Sequence, residues 1–248
     1  MLSVDLNCDM GEGCPFDAEL MKYISSVNVA CGAHAGDDGT MQRTVDLAVE
    51  NNVAIGAHPG YPDRAGFGRN EMPFSEGDLE YVVSEQILKL RSICDESGAV
   101  LSHVKPHGAL YNRSARDPLT ARVIANAVRK IDPELILFGL SGSFSISEAE
   151  HCGLHTASEV FADRTYCRDG SLTPRDRPNA LITDPGKAAE QALAMVANGE
   201  VAIEDGSRIT VAADTICVHG DGEEPIAFVQ AIREIMLINN ITIRSLND

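Results

Sequence analysis

Residues 4–12 read VDLNCDMGE, a short run in which polar and apolar side chains alternate before the run ends in Asp9 and Glu12. Further apolar runs that end in a histidine or an acid follow as VNVACGAHAGD (27–37), VAIGAHPGY (53–61), LSHVKPHGALY (101–111), TASEVFADR (156–164) and TICVHGD (215–221). Short β-branched runs with longer amphipathic segments between them are typical of repeated β-α units. The sequence therefore predicts an α/β fold with a parallel sheet.

Seven strands are predicted, at 3–8, 26–31, 53–57, 100–104, 135–140, 154–160 and 215–219. Apolar residues at helical spacing predict helices at 40–51 and 79–93, and further helices are expected at 117–130, 144–152, 186–198 and 224–239. Ser75 with Asp78 resembles a capping box, and Asp184-Pro185 resembles an N-cap followed by a first-turn proline. The Arg- and Pro-rich stretch 161–184 is predicted to be a long loop on the rim of the barrel.

Composition narrows the class of protein. The length of 248 residues fits one α/β barrel or two small domains, and because no low-complexity linker interrupts the pattern, we expect a single domain over 1–248. The formal net charge of −17 argues against nucleic acid and anionic membranes as partners. Seven cysteines without a C-x-x-C pair, together with the absence of a long apolar segment, predict a soluble cytoplasmic protein with reduced thiols.

The polar strand ends predict one functional site. In a β/α barrel or an open α/β sheet the carboxyl ends of parallel strands converge, so residues remote in sequence become neighbours. Residues two apart in a strand share a face, and the three sets expected to point inward are Asp5, Asn7 and Asp9; Ala54, Gly56 and His58; and His103, Lys105 and His107. Polar series of this kind are not tolerated against the outer helices.

Several of these side chains are candidates for chemistry. His34, His58 and His107 are interpreted as functional, whereas His103 and His219 fit a functional and a structural role equally well. Lys105 is expected to be buried, either to neutralise an oxyanion or to pair with Asp9 or Glu159. The acids Asp5, Asp9, Glu12 and Glu159 are candidate proton donors and acceptors, and Arg64 and Arg69 are candidate anion ligands.

No nucleotide-binding motif is present in the sequence. There is no G-x-x-x-x-G-K-[ST] and no G-x-G-x-x-G after a strand, and Gly66 and Gly68 alone are weak evidence. The nucleophile elbow G-x-S-x-G is also absent.

Six segments together resemble a known family. VDLNCDMGE, NVACGAHAGD, AIGAHPGYPDRAGFGR, HVKPHGALYN, ASEVFADRTY and ADTICVHGD, in order from residue 4 to 221, are similar to the signatures of the 5-oxoprolinase A-subunit family, also called the LamB/YcsF family. The resemblance implies a distorted seven-stranded β/α barrel akin to the glycoside hydrolase/deacetylase superfamily. It also implies ATP-dependent opening of 5-oxo-L-proline to L-glutamate together with two further subunits, which would bind ATP and Mg or share their binding.

The resemblance suggests roles for the candidates. A lactam is a poor electrophile, so its hydrolysis needs a base for water, a stabiliser for the oxyanion and an acid for the leaving nitrogen. The expected catalytic residues are Asp5, Asp9, Glu12, His34, His58, Lys105 and His107. Within that set, His34 or His58 with an acid of the first strand would activate water, and Lys105 and His107 would stabilise charge. The expected substrate-binding residues are Asn7, Arg64, Arg69, Glu159 and His219, and no residue is assigned as a metal ligand.

Two other functions remain open at this stage. The superfamily resemblance permits a metal-dependent deacetylase or amidohydrolase with an Asp/His/His site, for example Asp9, His34 and His58 around a divalent ion. The chain is alternatively a binding or scaffolding subunit whose partners carry out the chemistry. The density of titratable groups at one predicted face argues against this last reading.

Overall fold

Ten strands and eight helices lie within residues 2–220, 222 and 224–247, which the computed structural model describes. The strands are β1 Ser3–Met10, β2 Ser26–Ala30, β3 Ala54–His58, β4 Leu101–Val104, β5 Ile136–Leu140, β6 Thr156–Phe161, β7 Glu200–Ala202, β8 Arg208–Thr210, β9 Thr215–Val218 and β10 Thr242–Ile243. The helices are α1 Asp17–Leu20, α2 Asp38–Asn51, α3 Glu76–Glu96, α4 Gly108–Arg116, α5 Pro118–Ile131, α6 Phe144–His151, α7 Pro185–Asn198 and α8 Pro225–Ile238.

Seven strands close into a parallel barrel. Their order is β1-β2-β3-β4-β5-β6-β9, and β9 closes the barrel by pairing with β1 in the register Asp5↔Thr215 to Cys8↔Val218. These are the seven predicted strands, with boundaries that differ by no more than two residues. The predicted seven-stranded β/α barrel is therefore confirmed.

The two faces of β1 show how the sequence pattern builds the barrel wall. Val4, Leu6, Cys8 and Met10 are almost fully buried and belong to the apolar core between the strands and the surrounding helices. Asp5 and Asn7 point the other way and bond across the interior to other strands. The predicted inward face of β1 is confirmed, because charged and amide groups find polar partners only inside this barrel.

All six helices predicted from the sequence are present, as α2, α3, α5, α6, α7 and α8. Side-chain hydrogen bonds explain where α3 and α7 begin. The side chain of Ser75 accepts a hydrogen bond from the Asp78 amide at the start of α3, and Asp184 accepts one from the Lys187 amide at the start of α7. Both predicted N-caps are confirmed. α7 ends at Gly199, whose φ of 66° is the left-handed conformation that terminates helices.

Several short elements were not predicted. α4 begins directly after the polar motif around His107, so its helical pattern is only nine residues long and starts at a glycine. α1, the β7–β8 hairpin and β10 have four residues or fewer in each element, which is too short for periodicity to indicate them. The segment 162–184 contains no helix and is held by isolated bridges, such as Arg164 with Leu181.

Among the described residues, no helix combines the length and the apolar character needed to cross a lipid bilayer.

Candidate active site

A large cavity opens at the carboxyl ends of the barrel strands. It has a volume of about 1290 Å³ and is lined on its floor by residues at the ends of five strands, namely Asp9, His58, Lys105, Phe161 and His219. Its wall includes the loop 169–175, and its lining also includes Arg164 and Arg177. The polar strand ends expected to converge do meet at this cavity, and part of the predicted rim loop 161–184 lines it.

Lys105 is the central charge of the floor. It is 2% exposed, and its Nζ lies 2.7 Å from Glu159 Oε1, 3.0 Å from Asp9 Oδ1 and 3.1 Å from Asn7 Oδ1. Burial alone would lower the pKa of Lys105, but Asp9, the Cys217 thiol and Glu159 outweigh it and hold the pKa well above its usual range. The ammonium is therefore charged, and both ion pairs considered from the sequence are formed.

Asp9 connects Lys105 to the histidines. Its Oδ1 also accepts a hydrogen bond from Asn28 Nδ2 at 2.8 Å, and its Oδ2 lies 3.4 Å from His58 Nε2. Burial raises the pKa of Asp9, but His58 and Lys105 outweigh that effect and keep the pKa well below its usual range. Asp9 is thus a fixed negative charge between a lysine and an imidazole.

Three histidines gather around the Glu12 carboxylate. Glu12 Oε1 lies 2.9 Å from His34 Nε2, 3.2 Å from His107 Nδ1 and 3.7 Å from His58 Nε2. The His34 and His107 rings stack with a centroid distance of 3.7 Å, and His107 Nδ1 lies 2.9 Å from His58 Nε2. One donor atom from each of the four residues lies within 4.8 Å of all the others, so this group has the dimensions of a metal-binding site.

The charges of this group follow from its burial and its contacts. Burial raises the pKa of Glu12, but hydrogen bonds from His107 and His34 outweigh it and bring the pKa well below normal. Burial lowers the pKa of His34 to about 4, so this imidazole is neutral at pH 7. His58 behaves differently, because Asp9 and Glu12 overcome the effect of its burial and raise its pKa.

A strained loop fixes the orientation of His107. Its Nε2–H donates to the Phe67 carbonyl at 2.8 Å, and Phe67 has a φ of 55°, which is unusual for a residue other than glycine. Gly68 also has a positive φ, and a Cβ there would lie 2.8 Å from atoms of both His34 and His107. Gly68 of the Gly66/Gly68 pair, which is weak evidence in the sequence, therefore shapes the site.

Three predicted residues lie below the cavity floor. Asp5 is fully buried and accepts hydrogen bonds from Ser25, Ser26 and Thr215, and burial raises its pKa. Asn7 and Glu159 are also fully buried, and they bond to each other and to Lys105. None of the three lines the cavity, so the structure does not support a catalytic contact for Asp5 or a substrate contact for Asn7 and Glu159. They hold Lys105 and the barrel interior instead.

Of the two arginines predicted to bind an anion, one lines the cavity and the other does not. Arg69 lines the cavity with its guanidinium 5.0 Å from the Phe67 ring centroid. Arg64 is exposed, donates to the Gly32 carbonyl at 3.0 Å and does not line the cavity. Arg69 thus remains a candidate anion ligand in the cavity, whereas the structure places Arg64 outside it.

His103 and His219, whose roles the sequence leaves undecided, lie in different parts of the site. His103 is buried under the floor, where its Nε2–H donates to Asn28 Oδ1 at 2.9 Å and its ring stacks on Phe138. His219 lines the cavity and donates from Nδ1 to Asp163 Oδ2 at 2.7 Å. His103 therefore packs beneath the floor, whereas His219 faces the cavity.

The sequence analysis missed three residues of this site. Tyr111 lies on the unpredicted helix α4 and lines the cavity, and Arg164 is a buried arginine at its wall. Cys217 is one of the seven cysteines expected only to be reduced thiols, and its Sγ lies 3.1 Å from Lys105 Nζ. Tyr111 and Cys217 both stand in the quoted motifs, but their chemistry depends on neighbours that are distant in sequence.

Comparisons with known proteins agree with this architecture. The sequence profile of the LamB/YcsF family matches residues 4–248. A protein of Brevibacillus brevis (strain 47 / JCM 6285 / NBRC 100599), named as the A subunit of 5-oxoprolinase, is 50% identical over 248 residues, covering 98% of each chain. The crystal structure of a lactam utilization protein from Thermus thermophilus is 42% identical with a TM-score of 0.92, covering 99% of this chain and 100% of that one. A CE4 family pseudoenzyme shares the fold alone, with a TM-score of 0.50 and 10% identity over 99% of this chain and 66% of its own.

Proposed function

This chain belongs to the LamB/YcsF family, and from that premise we propose that it is a subunit of an ATP-dependent 5-oxoprolinase, which opens the lactam of 5-oxo-L-proline to L-glutamate. The names of its relatives support a 5-oxoprolinase subunit. The observation that carries the proposal is the cavity floor, where Asp9, His58, Lys105 and His107 present acids, imidazoles and a buried ammonium to one space.

The chemistry of a lactam assigns a role to each of these groups. With ATP as co-substrate, its γ-phosphoryl group would be transferred to the lactam oxygen and ADP released, after which water would add to the carbonyl carbon and the C–N bond would break as the ring nitrogen takes up a proton. A second water would hydrolyse the resulting acyl phosphate to the carboxylate and inorganic phosphate. His58, with Asp9 beside it, moves the proton between water and the ring nitrogen, since its pKa is raised from a value already near neutrality. Lys105 stabilises negative charge on the oxygen, because an ammonium in a buried site acts at low dielectric.

Glu12 and His34 have a supporting role in this proposal. Glu12 contacts His34 and His107 at 2.9 and 3.2 Å and so fixes both rings. His34 does not line the cavity, and with a pKa of about 4 it is a weak base at neutral pH. Of the two histidines considered for water activation, we therefore choose His58.

The substrate carboxylate is assigned to the arginine-rich wall. Arg69, Arg164 and Arg177 line the cavity of a protein whose net charge is −17, so the wall is a cationic surface on an acidic molecule. Guanidinium groups bind carboxylates and phosphates through paired hydrogen bonds. We propose that Arg69 holds the carboxylate of 5-oxoproline.

ATP and Mg are proposed to bind with, or on, two partner subunits. The sequence has no phosphate-binding loop of the P-loop type. The cavity of about 1290 Å³ is far larger than one five-membered lactam, which leaves room for an activated phosphate or for a segment of a partner. The cysteines form no disulfide among the residues that the structure describes, and this supports a reducing compartment, the cytoplasm, as the location of the complex.

The proposal is tested by measuring L-glutamate released from 5-oxo-L-proline. The purified chain is assayed alone and after co-purification with its native partners, each with and without Mg-ATP. We expect turnover only with the partners and Mg-ATP. Turnover by the chain alone without ATP, or an assembled complex without any turnover, would contradict the proposal.

A matched pair of variants tests the cavity assignment. In the complex, Arg69→Gln is expected to raise the KM for 5-oxoproline at least tenfold, because a charged hydrogen bond contributes about 1.5–3 kcal/mol. Arg64→Gln serves as the control and should leave KM unchanged, since Arg64 lies outside the cavity. Equal effects of the two substitutions would remove the basis for placing the carboxylate at Arg69.

A further inference from the structure

We infer that Arg164 and Arg177, on the wall of the cavity, form a subsite of this chain for a phosphoryl group. The inference deepens the proposed function and rests on it, because the phosphoryl group is the one that would be transferred from ATP to the lactam oxygen. It is carried by the bonding of a buried arginine, by the charges already present on the floor, and by the positions of the arginines around the cavity.

Arg164 is a buried cation whose guanidinium is only partly bonded. It is 6% exposed, its Nη2 donates to the Thr173 carbonyl at 2.6 Å and its Nε donates to the Ala180 carbonyl at 3.3 Å. Nη1 has no hydrogen-bond partner in the described part of the chain, and it is not one of the fully buried unpartnered atoms there, so it is reachable from the cavity that Arg164 lines. The two carbonyls orient the guanidinium but supply no counter-charge, and a buried charge is retained only when it is paired. An anion in the cavity would supply that charge.

The acids closest to Arg164 in the sequence are bonded to other groups. Asp163 accepts a hydrogen bond from His219 Nδ1 at 2.7 Å and does not line the cavity. Asp169 does line it, but its carboxylate accepts hydrogen bonds from the amide and the hydroxyl of Ser171. The wall therefore keeps a positive charge that is available to a ligand.

Arg177 adds a second guanidinium to the same wall. It lines the cavity, it is exposed, and its side chain contacts no carboxylate within the described residues. Arg175 also lines the cavity, and burial together with the charge of Arg175 lowers the pKa of Arg164. Positive charge is thus concentrated along residues 164–177, and a bound anion would relieve the repulsion within it.

The floor alone does not provide enough positive charge for a phosphoryl group. Lys105 Nζ lies 2.7 Å from Glu159 Oε1 and 3.0 Å from Asp9 Oδ1, so two carboxylates already balance its charge. A substrate phosphorylated on its lactam oxygen carries the phosphoryl charge in addition to its carboxylate. Guanidinium groups bind phosphate oxygens through paired hydrogen bonds, and the wall supplies them.

The arginines stand on two sides of the cavity. Arg69 follows β3, whereas Arg164 and Arg177 follow β6. In the closed ring β1-β2-β3-β4-β5-β6-β9, two strands separate β3 from β6 in one direction and three in the other, so the two groups enter the cavity from opposite sides. Phosphorylated 5-oxoproline carries its carboxylate and its phosphoryl group on the two carbons that flank the ring nitrogen. With the carboxylate at Arg69, the phosphoryl group is assigned to Arg164 and Arg177.

Phosphate binding is measured on the full chain without partner proteins, nucleotide or lactam. Inorganic phosphate is titrated at constant ionic strength in a phosphate-free buffer, and binding is followed by ³¹P NMR. We expect one saturable site with a Kd of about 1 mM or tighter. Because no turnover is involved, phosphate binding by the chain of an inactive complex would contradict only the proposed function. An active complex whose isolated chain binds no phosphate would overturn only this inference.

Four variants locate the subsite. Arg164→Gln is expected to weaken phosphate binding at least about tenfold, because it removes a charged hydrogen bond. Arg177→Gln should weaken it at least about threefold, and it keeps the test valid if loss of the Arg164 bonds to carbonyls disturbs folding, which circular dichroism checks. Arg168→Gln is the matched control, since Arg168 lies on the same loop, pairs with Asp205 and does not line the cavity. Both Arg168→Gln and Arg69→Gln should bind phosphate as the wild type does.

Acetyl phosphate and Mg-ATP distinguish two sources of the phosphoryl group. Displacement of bound phosphate by acetyl phosphate would place the group on an acyl oxygen, and displacement by Mg-ATP alone would place it on the nucleotide before transfer. Either result supports a phosphoryl subsite, whereas displacement by neither would mean an adventitious ion only and would overturn it. The inference also fails if the wild type shows no saturable binding, if folded Arg164→Gln and Arg177→Gln bind phosphate normally, or if Arg69→Gln alone abolishes binding.

Discussion

His103 shows what burial does to a single titratable side chain. It lies inside the barrel with Nε2–H donating to Asn28 Oδ1 and with Ser102 Oγ 2.7 Å from Nδ1, so both ring nitrogens of the neutral form are satisfied. Burial, reinforced by the charge of Lys105, lowers the pKa of His103 to about 3. The protonated form is therefore excluded from the folded protein over most of the acidic range.

This residue predicts a loss of stability in acid. The unfolded chain binds a proton at His103 below about pH 6.5, whereas the folded chain does so only near pH 3. The free energy of unfolding should thus fall as the pH decreases from 6.5, by up to about 1.4 kcal/mol per pH unit from this group. In urea titrations between pH 7.5 and 5, the stability advantage of the wild type over His103→Gln should shrink as the pH falls.

The control for this prediction is His155→Gln, which removes an exposed histidine. It should run parallel to the wild type over the whole range. A wild-type advantage over His103→Gln that stays constant with pH would contradict the assigned protonation state.

The pairing of β3 with β4 leaves no room for a side chain at position 56. Gly56 stands opposite His103 in the register of the two strands, and a Cβ at position 56 would lie 2.1 Å from His103 Nε2. The imidazole is held by hydrogen bonds and by the Phe138 ring, so it has no free space into which it can move. The small residues before His58 in the sequence are therefore required by the narrow interior.

Gly56→Ala is consequently expected to be strongly destabilising. Overpacking of a filled interior typically costs about 1–3 kcal/mol, and we expect at least about 2 kcal/mol here because backbone and ring meet directly. The measurement is the urea midpoint at neutral pH. Gly77→Ala in α3 is the matched control, since a Cβ there meets no atom within 4 Å, and it should be neutral or slightly stabilising. Similar midpoints for the two variants would show that the interior is more adaptable than its geometry indicates.

Closure of the barrel brings strands from the two ends of the chain into contact. β1 pairs with β2 and also with β9, so strands near the two ends of the chain depend on each other. The apolar core is likewise continuous, because one cluster includes Val4 at one end of the chain and Met236 near the other. We therefore propose that residues 1–248 unfold as one cooperative unit, as expected for a single domain.

Urea unfolding followed by two probes tests this proposal. Far-UV circular dichroism reports the helices and strands, and near-UV circular dichroism reports packing around tyrosines such as Tyr61, Tyr111 and Tyr166, which are buried in a chain without tryptophan. The two transitions should coincide in midpoint and slope. Separate midpoints would indicate that part of the chain folds independently of the barrel.

The sequence by itself indicated repeated β-α units with polar side chains at the carboxyl ends of the strands, and the closed barrel was implied by the resemblance to the LamB/YcsF family. Alternation with a period of two and apolar periodicity along helices are local properties, so they indicated the seven strands, most helices and the inward faces. The positions of His58, Lys105 and His107 at strand ends followed from the same patterns. These predictions did not require knowledge of any long-range contact.

Only the tertiary structure decided which polar residues reach the cavity and which support it from below. Asp5 and Asp9 share a face of β1, but four residues of strand separate them by about 13 Å along the barrel, so Asp5 lies beneath the floor. Arg64 and Arg69 have the same chemistry, and the path of the loop through Phe67 and Gly68 separates them. Depth within a barrel and the direction of a loop depend on contacts between residues far apart in sequence, and these contacts form only in the folded chain.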